Sequence, residues 1–420
     1  MKLGWIDFAP EDRKRAIDAL NALRNRTEDE LGTGVVRDAF AEAFFPGTST
    51  IQTRAKYFVI VPCAIQMALE NLRGESAGRV AMERLRQIER ECARQMWNNC
   101  DHDETAKVIG RQELDNPKWI IRPPSEIYWA GLRTFGISRI RKSVGAWMKG
   151  AGRYAGESAE ETKRRRRDDE DGGADDADTR LADWKEDIPI PKDIFQDFST
   201  SYHKKTLKPE LTKREADFLR ESILSGTPGS LLAFYLSTGR EPPRPKRRSD
   251  EGAVDEKDTS FYKFARNLKG LVSAETASLL DRACEFNRLN FSANVLYNKM
   301  LGIPEAKARW EMVGDSVPGW MSADPVALPP SAGTSRFRTD AATRFLNELR
   351  EAFRERNFGR AERLIEKRER TCCNAKNKKA KLDRRGLATE WVGVGWHDFR
   401  LANAARILGD ITHPEEAADA

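Results

Sequence analysis

Apolar side chains recur along this chain at three- and four-residue intervals, punctuated by Pro-Gly and Gly-rich stops, and that rhythm commits most of it to amphipathic helices. Val36, Ala39, Phe40, Ala43 and Phe44 form one such stripe, closed by Pro46-Gly47. Met82, Leu85, Ile88, Cys92 and Met96 form another over 80–97. Between them Thr48-Ser49-Thr50 offers caps for a helix from Ile51 to Glu70, kinked at Pro62. An opening helix is expected after Ala9-Pro10-Glu11-Asp12, with Ile17, Leu20 and Leu23 inward. Further on, Thr212 and Glu215 are spaced as a capping box for a helix to Ser225, and Ser230 caps the next, 231–236. Helices are also expected over 261–268, 274–290, 293–301, 341–370 and 397–408. Strand signals are confined to Trp119-Ile120-Ile121 and Trp391-Val392-Gly393-Val394, room for at most a small hairpin or wing. The expected class is mainly α and multi-helical.

At 420 residues the chain exceeds the roughly 250–300 at which one core stops growing, so two or three packing units are expected. Composition marks the breaks. Lys163 to Arg167 is a run of five bases, followed by seven acids between Asp168 and Asp178, which reads as a charged linker over 156–180. A second bases-then-acids block runs from Arg244 to Asp258 and reads as a solvated loop at 240–258. Pro318, Pro325, Pro329 and Pro330, with Gly319 and Gly333, mark a connection at 321–335. The expected order is an N-terminal helical domain at 1–155, a middle helical domain at 181–320 and a basic helical segment at 336–420.

Hydrophobic residues are 39% of the chain and charged residues 33%, enough for real cores beneath a heavily solvated surface. The longest apolar run, Tyr57 to Cys63, is far short of the roughly 20 residues that cross a bilayer, and Met1-Lys2-Leu3-Gly4 opens no signal core, so a cytoplasmic location without membrane contact is expected. Six cysteines, at 63, 92, 100, 284, 372 and 373, show no framework and read as reduced thiols. Cys92, Cys100 and His102 lack the Cys-x-x-Cys pair of a structural zinc site, and no metal or cofactor is expected.

The net charge of +6 says little by itself, but nine Lys or Arg stand against Glu369 and Asp383 between 367 and 385. Lys378, Lys379 and Lys381 in that stretch suit a polyanion, or serve solubility alone. The segment from Asp38 to Phe58 has the layout of a helix-turn-helix, in which Thr50, Gln52, Arg54 and Lys56 would face phosphate or base edges; the alternative is an ordinary helical hairpin. Within 122–149 six bases face one acid, and Ser138-Arg139-Ile140-Arg141-Lys142 opens a second helix after Gly136. Arg133, Arg139, Arg141 and Lys142 would touch phosphates while Tyr128, Trp129, Phe135 and Trp147 stack on bases, unless those rings pack in the core.

Catalytic patterns are scarce. His203, Lys205 and Glu210 approach the phospholipase-D nuclease spacing, but with Glu in the acid position and in a single copy. There is no phosphate loop and no Gly-x-Gly-x-x-Gly. An enzymatic role is therefore not expected.

Several segments together resemble a bacterial family of unknown function: Leu3-Gly4-Trp5-Ile6-Asp7-Phe8, Asp38-Ala39-Phe40, Phe45 through Phe58, Pro123 through Trp129, and in the middle section Leu219 and Pro228-Gly229-Ser230-Leu231-Leu232. The resemblance implies a setting in bacterial defence islands, beside helicase and nuclease genes, and carries over no catalytic residue. With the basic segments it leads to an expectation of a non-catalytic DNA-binding or adaptor component of an antiviral system. The alternative is a scaffold that docks a helicase or nuclease without touching nucleic acid.

Overall fold

A computed structural model describes residues 29–154, 184–189, 207–243, 250–329 and 336–415, apart from short gaps at 73–76, 117–118 and 385–389 and isolated positions. The expected opening helix, the charged linker and the His203-Lys205 pair lie outside the described residues.

The chain is mainly helical. Among the described residues the helices are α1 (Gly34–Phe44), α2 (Tyr57–Leu69), α3 (Ala77–Asn98), α4 (Pro124–Thr134), α5 (Val144–Tyr154), α6 (Lys213–Gly226), α7 (Leu231–Thr238), α8 (Ser260–Leu268), α9 (Ala274–Met300), α10 (Pro304–Val313), α11 (Val317–Trp320), α12 (Arg336–Arg354), α13 (Phe358–Asn374) and α14 (Leu401–Thr412). In place of a hairpin or wing the described residues hold two isolated bridges, Ser138 with Trp184 and Thr212 with Glu415.

Two compact units divide the chain: residues 1–40 with 248–399, and residues 41–247 with 400–420. The cuts fall within α1, between Arg247 and Arg248 inside the charged 240–258 block, and just before α14, so one compositional break coincides with a boundary while the 156–180 block and the Pro-rich stretch do not. The Pro-rich stretch lies inside the first unit, pinned to α12. There Arg350 Nη1 donates to the carbonyls of Ser322, Ala323 and Asp324 at 2.9, 2.6 and 2.7 Å, and Asn347 accepts from Val326 N–H at 2.8 Å.

The first unit is built on α9, which packs against α8, α10, α11, α12 and α13. Sequence patterning splits α9 at Asn290; the structure keeps it continuous over 27 residues. The asparagines around that point are buried, and those at 287, 290 and 298 find partners off the helix. Asn287 exchanges two hydrogen bonds with the backbone of His397 (2.9 and 3.0 Å), and Asn298 does the same with Val392 (2.7 and 2.8 Å). Trp396 stacks on Phe291 with ring centroids 4.0 Å apart. The expected long helix over 341–370 is two helices, broken where Arg356 adopts φ +57°. The last helix starts at Leu401, because Phe399 and Arg400 take left-handed conformations that a helix cannot contain.

In the second unit α3 lies close against α5, where a Cβ on Gly78 would stand 2.6 Å from the Lys149 Cα. The α2 helix packs on α3 and α4, and α14 on α6 and α7. Thr212 and Glu215 form the expected capping box at the head of α6. Glu215 has a second duty. Its carboxylate also takes the Lys56 ammonium at 2.6 and 2.9 Å, with both side chains about 5% exposed or less.

Lys56→Ala should therefore leave a buried carboxylate without its counter-charge and lower stability by about 3–5 kcal/mol, read as a shift in the urea unfolding midpoint. His397 supplies a pH test in the first unit. Burial, with Arg37 nearby as a lesser cause, holds its imidazole down at about 3 against an ordinary 6.5. The ring is neutral when folded, so below pH 6.5 the unfolded chain takes up a proton that the folded chain refuses. Stability should then fall as pH drops from about 6.5 towards 3, by about 1.4 kcal/mol per pH unit for this group. In His397→Gln that component of the slope should vanish from urea titrations run across the window.

Candidate nucleic-acid interface

The α1–α2 connection is not a helix-turn-helix turn. Such turns take three or four residues, whereas residues 45–56 separate α1 from α2. The expected helix from Ile51 begins only at Tyr57. Gln52 within the connection, and Tyr128 and Asp410 from elsewhere in the unit, satisfy the backbone that a helix would have used. Gln52 accepts from Ser49 N–H at 3.1 Å and donates to the Gly47 carbonyl at 3.1 Å. The Tyr128 hydroxyl accepts from the N–H groups of Thr53 and Arg54 (2.8 and 3.1 Å) and donates to the Arg54 carbonyl at 2.8 Å. Asp410 accepts from Ala55 N–H at 2.8 Å.

These bonds withdraw three of the four residues expected to meet nucleic acid here. Gln52 and Lys56 are buried. Arg54 is tied to Asp410 at 3.0 Å and Glu210 at 3.4 Å, with its side chain 13% exposed. Thr50 alone is exposed.

The 122–149 segment differs. Pro124 at N1 starts α4 and Gly136, at φ +66°, ends it. The next stretch is extended, not helical: Lys185 N–H donates to the Ile137 carbonyl at 2.9 Å, and Ser138 bridges to Trp184. Extended backbone alternates its side chains. Ile140 is fully buried, while Arg139 and Arg141 point to solvent on the same side.

Arg133, exposed on the last turn of α4, donates from Nη1 to the Arg141 carbonyl at 3.0 Å and so joins the pair. Among the described residues no carboxylate pairs with Arg133, Arg139 or Arg141. Lys142 is half-buried, and its carbonyl accepts from Trp129 Nε1 at 2.9 Å.

The aromatic half of the expectation is corrected. Tyr128 and Trp147 are fully enclosed, and Trp129 and Phe135 are buried too. Trp129, Trp147 and Trp184 meet with ring centroids 6.0–6.2 Å apart, anchoring the extended segment from beneath. No base can stack on them. What the surface offers is guanidinium groups on a rigid support, suited to phosphate oxygens.

In the first unit, Lys378 and Lys379 are exposed. Lys381 pairs instead with Glu30 at 2.6 Å, and Lys376 donates to the Asp29 carbonyl at 3.1 Å. The sequence reading passed over the face of α13 leading to them. Arg363, Lys367, Arg370 and Asn374 follow at spacings of four, three and four, all exposed. Arg370 is held by Glu366 and Asp383, but no ion pair engages Arg363 or Lys367 among the described residues. The three- and four-residue spacing of bases was the available signal.

Residues 1–165 match a family of unknown function (DUF6361). The match covers α1 through α5, hence Arg133, Arg139 and Arg141, and stops short of the Leu219–Leu232 section. No curated protein and no solved structure matches the chain.

Proposed function

We propose that this chain is a DNA-binding component of a bacterial antiviral defence system, acting by holding nucleic acid. The observation that carries the reading is the cluster of Arg139 and Arg141, on a segment whose intervening Ile140 is locked into the core, with Arg133 from the end of α4: three exposed guanidiniums without carboxylate partners among the described residues. Exposed arginines on a mobile loop would lose side-chain and backbone freedom on binding; here the backbone is already fixed. The buried aromatics leave no stacking platform, so affinity comes from phosphates and is largely indifferent to sequence. The α13 stripe with Lys378 and Lys379 offers the same chemistry in the first unit. The defence setting rests on the family resemblance, not on the site.

Binding of a labelled DNA duplex, followed by fluorescence anisotropy, should weaken steeply as salt rises. Replacing Arg133, Arg139 and Arg141 together by Ala should weaken it at low salt and reduce the slope of log K against log salt by up to about three units. All three are exposed, so the circular dichroism spectrum and unfolding midpoint should match the parent. A folded triple variant with parental affinity and slope would remove this cluster from the interface. If the parent binds no DNA at low salt, yet retains host proteins after complete nuclease digestion, the scaffold reading replaces this one.

The biological half has its own test. Cells carrying this gene with its neighbours should form fewer phage plaques than cells lacking it, and the triple variant should forfeit that protection. Equal plaque counts with and without the gene, across unrelated phages, would overturn the defence role while leaving the binding result untouched.

A further inference from the structure

Helices α8 and α9 leave a cavity of about 270 Å3 between them in the first unit. Its lining follows helical spacing on both sides. Tyr262, Arg266 and Lys269 come from α8 and the residue after it, and Asp281, Glu285 and Arg288 from α9. Two neighbouring helices thus turn charges of both signs onto one space.

Those charges do not cancel one another. Arg266, Lys269, Asp281 and Glu285 make no ion pair and no side-chain hydrogen bond among the described residues. Arg288 is committed on one side only: Nη1 binds the buried Glu256 carboxylate at 2.8 Å, while its buried Nε has no partner. Ala265, Ala277 and Leu280 add apolar surface to the same lining.

We propose that this cavity binds a small zwitterion of the amino-acid type, its carboxylate on Arg266 and Lys269 of the α8 side and its ammonium on Asp281 and Glu285 of the α9 side. Three properties select that class. The volume lies just below the roughly 300–1,000 Å3 of pockets for drug-sized ligands, so the occupant is small. Cations favour a carboxylate, and guanidinium groups can take it in a bidentate fashion. Two carboxylates in the same lining repel a phosphate-rich anion yet complement an ammonium. A ligand carrying one charge of each sign satisfies both sets together. The Tyr262 ring and the apolar surface leave room for an uncharged side chain.

The test uses the full chain. Each free L-amino acid is supplied at about 10 mM, enough to fill a site of millimolar Kd, and thermal unfolding is followed; any amino acid that raises Tm is then titrated calorimetrically. At least one should stabilise the protein, since a ligand bound only by the folded state raises Tm. The N-acetyl and carboxamide derivatives of that amino acid, each lacking one charge, should bind at least tenfold more weakly. Arg266→Gln and Asp281→Asn should each weaken the parent ligand at least tenfold. Both positions are exposed, so ligand-free unfolding should stay parental. No Tm rise with any amino acid would overturn the proposal, as would derivatives that bind equally well or variants that bind as the parent does.

Discussion

Four asparagines on one face of α9 hold the first unit together, and each is buried in a place where an amide without partners would be strongly destabilising. Asn287, Asn290, Asn294 and Asn298 sit at spacings of three, four and four. Asn287 and Asn298 each imitate a neighbouring β-strand by pairing both polar atoms with one backbone residue, His397 and Val392. Asn290 accepts from the Thr33 hydroxyl at 2.8 Å, which turns its NH2 group towards His397 Nε2 at 2.9 Å. Asn294 bonds back to the Asn290 carbonyl at 2.8 Å. The result ties residue 33, the middle of α9 and the 391–397 segment, more than a hundred residues away, into a single network. His397 must be neutral to accept that bond, and the burial that, with Arg37 nearby, lowers its pKa keeps it so.

The second unit solves a similar problem with side chains that fill in for irregular backbone, Gln52 from within it and two others from outside. The chain between α1 and α2 carries donors that no helix satisfies, and Gln52, Tyr128 and Asp410 take them. Lys56 and Arg54 enter as cations that neutralise buried carboxylates. The Asp410 side chain is 10% exposed, and burial pushes its carboxyl above the usual range, with Arg54 opposing the shift. A basic residue in such a place is part of the core's electrostatics. Charge alone therefore cannot mark a nucleic-acid contact.

This explains what was legible in the sequence and what was not. Elements written in local chemistry were read well: the Thr212–Glu215 capping box, the Ser230 cap, the Pro-Gly stop after Phe44 and the apolar stripe of α3. Elements decided by distant partners were misjudged. Thr48-Ser49-Thr50 looks like a helix cap, but Tyr128 and Asp410 outcompete the helix for the next N–H groups. Asn290 looks like a helix stop only while His397 and Thr33 are out of view. The same divide runs through the candidate interface. Arg133, Arg139 and Arg141 were named from charge density and are exposed; Gln52 and Lys56 were named from a turn that is not there and are buried. Arg363 and Lys367 went unnamed although their spacing is purely local.

The extended 137–142 segment sharpens the distinction between basic residues that stabilise the fold and those available to a ligand. Lys56 and Arg54 have their charges met at 2.6–3.4 Å within the unit, so moving either to a phosphate would expose a carboxylate that is now buried or half-buried. Arg139 and Arg141 carry no such debt. Their backbone is fixed by the buried Ile140, by the Ile137 and Ser138 contacts with 184–185, and by Arg133 across the Arg141 carbonyl, while their guanidiniums have no carboxylate partner among the described residues. Phosphate can take these side chains without breaking anything that holds the unit together. That asymmetry, rather than the count of positive charges, is why the surface after α4 is the stronger candidate and the α1–α2 connection is not.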